Sequence, residues 1–182
     1  MSLGHNHHLD TTKPVNWVIS YLNRIPKRGR VLDLACGSGR HTRLLLGKGY
    51  SVTAVDRDIS QICNLCETDN LEILEYDLEG PEGWPFSSGY FDGIIVVNYL
   101  HRPLFPSIID SLAENGVLIY QTFASGNENY GSPRNPDFLL VKDELLDFFG
   151  LRLEVVAFRQ GYTRRPSPAV VQCICCVNTP TR

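Results

Sequence analysis

The stretch Val31-Leu32-Asp33-Leu34-Ala35-Cys36-Gly37-Ser38-Gly39-Arg40 decides the fold. An apolar strand, Arg30 to Leu34, runs into a glycine-rich turn, and a helical pattern from Gly39 to Leu46 follows, ended by Gly47 or Gly49. Gly37 and Gly39 let the backbone approach a ligand closely. The helix N-terminus behind them offers unpaired N–H groups and the positive end of a dipole, which favour an anionic group. A second strand, Tyr50 to Val55, is rich in Val and Thr and closes on Asp56, nineteen residues after Gly37. A carboxylate at that distance can accept hydrogen bonds from both hydroxyls of a ribose.

Outward from this unit the alternation continues. Val15 to Asn23 places Trp17, Val18, Tyr21 and Leu22 at helical spacing before Ile25-Pro26 and Gly29 break the pattern. Ile59 to Cys66 reads as a helix, Leu71 to Tyr76 as a strand, and Gly80 to Gly89 as a loop. Phe91 to Val97 is apolar without polar alternation, the mark of a strand covered by helices on both faces. Pro103 to Leu112 is a helix, Gly116 to Phe123 a strand, and Lys142 to Phe149 a helix closed by Gly150. Two strands, Leu151 to Gln160 and Ala169 to Val177, are joined by so short a connection, Gly161 to Pro168, that they must pair antiparallel. The expectation is an α/β fold: a doubly wound, seven-stranded, mostly parallel sheet with helices on both faces and a C-terminal antiparallel hairpin. Residues 1–13 read as a flexible tail and 14–182 as one domain.

Composition bounds the function. The 182 residues are 43% hydrophobic and 20% charged, near globular averages, which excludes a disordered chain. No apolar run reaches the ~18 residues of a membrane span and no secretory segment is visible, so a cytoplasmic protein is expected. A formal charge of −3 gives no general attraction to phosphate backbones. The six cysteines read as reduced thiols: Cys63 and Cys66 form an isolated CxxC, and Cys173, Cys175 and Cys176 fall in an apolar run as core side chains. His5, His7 and His8 belong to the tail and take no role, and no metal site is expected.

With these residues in view, the chain resembles the class I methyltransferases, whose hallmark is an acid and a GxGxG-like turn after strand one with an acid ending strand two. The resemblance covers nearly the whole domain and implies S-adenosylmethionine as cofactor. It places the methionine carboxylate at Ala35, Cys36, Gly37 and Gly39, its ammonium near Asp33, and the ribose on Asp56 with Arg57 beside it. The adenine amino group falls to Asp77, with backbone contact and apolar cover from Leu78. Asn98 and Tyr99 stand at the ligand-facing end of the fourth strand, and Glu114 to Ile119 resembles the turn into the fifth. The small size and the run Cys36 to Arg40 further resemble compact bacterial methyltransferases of the tellurite-resistance type, which act on small acceptors. Their tellurite activity is not carried over, because the acceptor-facing residues do not match one by one. A nicotinamide-dependent enzyme is the rival reading, since Gly37, Gly39 and Asp56 would also serve a dinucleotide. Thr42 in the third glycine position and Asp33 beside the turn both disfavour a pyrophosphate.

For the acceptor the residues leave alternatives open. His101, a side-chain type whose ordinary pKa lies nearest neutrality, is either a general base or a solvent-exposed loop residue, and Tyr99 and Tyr130 are the other catalytic candidates. The tetrad (D/N)PP(Y/F) of nucleobase and protein-amide methyltransferases is here Asn98-Tyr99-Leu100-His101, without the prolines. That departure favours a small-molecule acceptor and disfavours nucleic acid. Arg164 and Arg165 either meet an anionic acceptor or form a solvated pair in the hairpin turn. The long loop carrying Asn127, Tyr130, Arg134 and Phe138 is read as an acceptor lid. A catalytic enzyme and a cofactor-binding protein without turnover both fit the sequence, and oligomeric state is not encoded legibly.

Overall fold

The apolar run Ile94 to Val97 lies in the middle of a seven-stranded sheet, where a strand buried on both faces belongs. The structure, a computed structural model, describes residues 13–180. The tail histidines lie outside the described residues. Within them, α1 (Asn16–Tyr21) leads into β1 (Arg30–Leu34), α2 (Arg40–Gly47), β2 (Ser51–Asp56) and β3 (Leu71–Glu75). Then come β4 (Phe91–Val97), α3 (Phe105–Asp110), β5 (Leu112–Phe123), α4 (Glu144–Phe149), β6 (Glu154–Thr163) and β7 (Ala169–Val177). The strand order is β3-β2-β1-β4-β5-β7-β6, parallel from β3 to β5, with β7 antiparallel to both β5 and β6. The chain reverses direction of sheet growth between β1 and β4, and a ligand crevice is expected at the C-terminal ends of strands beside that point.

The period-two alternation of β4 assigns its side chains to two cores. Ile94 and Val96 pack with Leu104, Phe105, Ile108, Leu145 and Phe149 from the α3–α4 side. Ile95 and Val97 pack with Val15, Val18, Leu22 and Leu45 from the α1–α2 side. The cysteines of β7 are buried core residues, and burial pushes the Cys173 and Cys175 thiols up to about 11 and Cys176 to about 12.

Several boundaries differ from the sequence reading. The helix expected over Ile59 to Cys66 is only a 3-10 turn, Cys63–Leu65. Polar groups there compete with helical bonding: Asp58 Oδ1 accepts from the Ser60 N–H at 3.0 Å, and Cys63 Sγ donates to the Ser60 carbonyl at 3.2 Å. Cys63 and Cys66 are exposed on this turn, not set on a helix. Pro103 begins not a long helix but a 3-10 turn, Arg102–Leu104, that passes into α3, and Leu112 already belongs to β5, where it pairs with Phe91. β6 starts at Glu154, because the Arg152 and Leu153 N–H groups still bond back to the Phe149 carbonyl.

Candidate active site

Two of the strands facing the crevice, β1 and β4, end on left-handed backbone. Ala35 after β1 and Asn98 after β4 both hold left-handed φ, 53° and 59°, a conformation costing a non-glycine residue roughly 1–2 kcal/mol. Gly37 and Gly39 hold φ of 53° and 72°. A β-carbon on Gly37 would meet open space, whereas one on Gly39 would run into Ile62; neither glycine lines the cleft at the strand ends. The Gly37 N–H donates to Asp56 Oδ2 at 2.7 Å, and the Asp58 N–H donates to Oδ1 at 3.1 Å. The turn after β1 and the carboxylate ending β2 are thus one hydrogen-bonded unit.

Ala35, Asp56, Arg57, Asp77, Leu78, Asn98 and Tyr99 line a single cleft of about 380 Å³, completed by Tyr76, Glu79 and Phe138. Asp77 is held by its own turn, Oδ1 accepting the Glu79 N–H at 3.0 Å. The Tyr99 hydroxyl is buried in the wall without a hydrogen-bond partner among the described residues. Burial first, then the neighbouring Glu79 carboxylate, holds that phenol far above its usual range. Glu79, which sequence reasoning missed, faces His101 Nδ1 across 3.7 Å. The available signal was the acid two places after Asp77 in Asp77-Leu78-Glu79.

Other expected residues sit one layer away. Cys36 is buried against Ala54 and Ile62, and burial raises its thiol. Asp33 lies beneath the turn, its Oδ2 accepting from Thr42 Oγ1 at 2.5 Å. Burial pushes Asp33 up to about 6 against the pull of Thr42. Nearby, buried His41 accepts the Val15 N–H on Nε2 at 3.2 Å, and burial lowers it to about 3. These two groups pull stability in opposite directions. Between pH 6 and 4 the folded state binds more protons at Asp33 than the unfolded chain does, and fewer at His41, so acidification favours folding through the first and opposes it through the second. Across those two pH units each contributes roughly 2 kcal/mol, less than the full slope of about 1.4 kcal/mol per unit because each group is only partly titrated at one end of the window. Urea unfolding should therefore show Asp33→Asn losing stability relative to wild type on going from pH 6 to 4 and His41→Asn gaining it. Parallel profiles for the three proteins would contradict the assignments.

The long loop after β5 divides in role. Arg102 clamps its far end with a fork to Glu144 (Nε to Oε1 2.5 Å, Nη2 to Oε2 3.0 Å) and donates to the Asp137 and Leu139 carbonyls. Phe138 thereby reaches the cleft, and with Pro133, Glu79, Tyr99 and Phe123 it walls a second chamber of about 220 Å³. Asn127 is a buried pin, accepting the Val170 N–H and donating to the Pro133 carbonyl, each at 3.2 Å. Tyr130 packs on Tyr162 with ring centres 5.0 Å apart, and it lines neither cavity.

The methyltransferase-domain family model matches residues 6–152. The chain belongs to the methyltransferase-domain family. Its cofactor is S-adenosylmethionine. The Haemophilus influenzae protein named "Probable S-adenosyl-L-methionine-dependent methyltransferase TehB" is 29% identical over 131 residues, 66% of this chain and 44% of that one. The chain spans less than half the length of the curated relatives it matches. A SAM-dependent methyltransferase of Methanosarcina mazei superposes with a TM-score of 0.69 at 17% identity, covering 93% of this chain and 100% of that one. Burkholderia thailandensis 1,6-didemethyltoxoflavin-N1-methyltransferase, solved with 1,6-didemethyltoxoflavin and S-adenosylhomocysteine, gives 0.69 at 17% identity over 90% and 76%.

The cleft of this methyltransferase fits the cofactor chemically. A carboxylate has about four lone-pair sites. Among the described residues two N–H groups, those of Gly37 and Asp58, bond to Asp56, so acceptor capacity remains for ribose hydroxyls. Leu78 offers an apolar surface for a base, and Asp56, Asp77 and Glu79 against Arg57 favour a cationic ligand.

Proposed function

We propose that the chain is a catalytic S-adenosylmethionine-dependent methyltransferase, a single domain over residues 14–182, acting on a small-molecule acceptor in the cytoplasm. The observation that carries it is the shared cleft: Ala35 at the turn after β1, Asp56 (which the Gly37 N–H bonds), Asp77 and Asn98 line one space whose acids suit a sulfonium. Ribose hydroxyls go to Asp56, the adenine amino group to Asp77 with Leu78 beneath the base, and the methionine end to the turn. When bound, S-adenosylmethionine supplies a methyl carbon that takes the acceptor's lone pair as the carbon–sulfur bond breaks and its electrons stay on sulfur. Alignment and exclusion of water supply most of the catalysis such a displacement needs from the protein. Phe138 and Tyr99 wall off solvent, and Asn98 lines both the cofactor cleft and the second chamber. Where the acceptor must shed a proton, the base is His101, whose Nδ1 faces the Glu79 carboxylate at 3.7 Å and leaves Nε2 to accept. The buried Tyr99 phenol stays protonated and serves as a hydrogen-bond donor. Six free thiols, four of them buried, suit a reducing compartment.

The test is transfer of a tritiated methyl group from S-adenosylmethionine to a broad panel of small nucleophiles. Turnover of at least one acceptor class is expected. Saturable cofactor binding without transfer to any of them would favour a binding protein instead.

A further inference from the structure

Sharing no lining residue with the acidic cleft, a groove of about 870 Å³ runs between α1 and the β6–β7 hairpin. Lys13, Trp17, Tyr21, Gln121, Arg159 and Arg165 line it. The chain has a formal charge of −3, yet among the described residues no Asp or Glu lines this groove. Lys13, Arg159 and Arg165 form no ion pair with a described carboxylate. The cofactor cleft is the reverse, with Asp56, Asp77 and Glu79 against Arg57.

A small cavity of about 30 Å³ lies between the two, sharing Gln121, Thr163 and Arg165 with the groove and Asn98 with the cofactor cleft. That volume admits a water-sized group. Arg40 and Ser167 stand in its wall, and the Ser167 hydroxyl is buried with no hydrogen-bond partner among the described residues. On the groove's far wall the Trp17 indole N–H is fixed to the Ile174 carbonyl at 3.1 Å, and the Tyr21 ring lies 4.6 Å from it. The groove therefore combines a fixed aromatic corner with cations, and the small cavity between it and the cleft has room for only a small group.

We propose that this groove holds the acid group and the planar or apolar body of the methyl acceptor, so that the acceptor is a small carboxylate- or phosphate-bearing molecule. The nucleophilic end enters the small cavity toward Asn98, where Ser167 is free to bond it, while the anion stays with Arg159, Arg165 and Lys13. The inference rests on the adjoining cleft being the cofactor site.

The full chain, saturated with S-adenosylhomocysteine, is titrated by fluorescence with dansylglycine, an aromatic carboxylate, and with its neutral counterpart dansylamide. Dansylglycine should bind about 10-fold or more tighter, a difference of about 1.4 kcal/mol. Salt should erode that preference, because exposed charges are screened. The triple variant Lys13→Gln, Arg159→Gln, Arg165→Gln should lose the preference while keeping its calorimetric affinity for S-adenosylhomocysteine. Equal affinities for the two probes, or an undiminished preference in the triple variant, would overturn the inference. So would a preference lost in Phe138→Ala and kept in the triple variant, which would put the acid in the chamber beside Tyr99. Failure of S-adenosylhomocysteine to bind the wild type would instead strike the cofactor reading itself.

Discussion

Gly39→Ala is expected to lower the free energy of unfolding by about 2 to 4 kcal/mol, measured by urea denaturation. Two costs combine. The residue holds φ of 72°, which a β-carbon disfavours, and that carbon would overlap Ile62 Cγ2. Ile62 is buried with Cys36 and Ala54 under the turn, so it has little room to withdraw. A double-mutant cycle with Ile62→Ala separates the two costs. The penalty for Gly39→Ala should fall in the Ile62→Ala background to the backbone part alone. An unchanged penalty would show that the overlap is not its source.

Asp56→Ala should weaken S-adenosylhomocysteine binding by about 1 to 3 kcal/mol, the scale of hydrogen bonds to a charged group. In calorimetry that is a loss of about 5- to 150-fold. The same substitution leaves the Gly37 N–H without its 2.7 Å acceptor, so the turn itself loosens. Asp56→Asn isolates the two roles, since an amide oxygen can still accept from Gly37 while the charge is gone. It should preserve unfolding stability better than alanine and bind the nucleoside with intermediate affinity. Wild-type affinity in the alanine variant would show that the ribose lies elsewhere.

What the sequence made legible was set by local chemistry. β1 and β7 begin and end at Arg30–Leu34 and Ala169–Val177, as their apolar runs predict, and the short hairpin connection forced β6 and β7 antiparallel. The cleft residues from Ala35 to Tyr99 follow the strand ends in order, so their convergence follows once the sheet is parallel. Interactions over long separations were hidden. Nothing near Arg102 announces that it clamps Glu144, 42 residues on, nor near Tyr130 that it packs on Tyr162. The cationic groove is likewise assembled from Lys13 and the distant Arg159 and Arg165. The Ile59 to Cys66 segment misled because its apolar spacing suits a helix while its Asp, Ser and Cys side chains bond to nearby backbone instead.

Parallel calorimetric titrations of the wild-type chain with S-adenosylmethionine and with NAD address the central claim, that the Gly37 turn and Asp56 close on one nucleoside-bearing sulfonium. Saturable one-to-one binding of S-adenosylmethionine with no heat from NAD at the same concentration is the expected result. Saturable binding of NAD with silence from S-adenosylmethionine would contradict it.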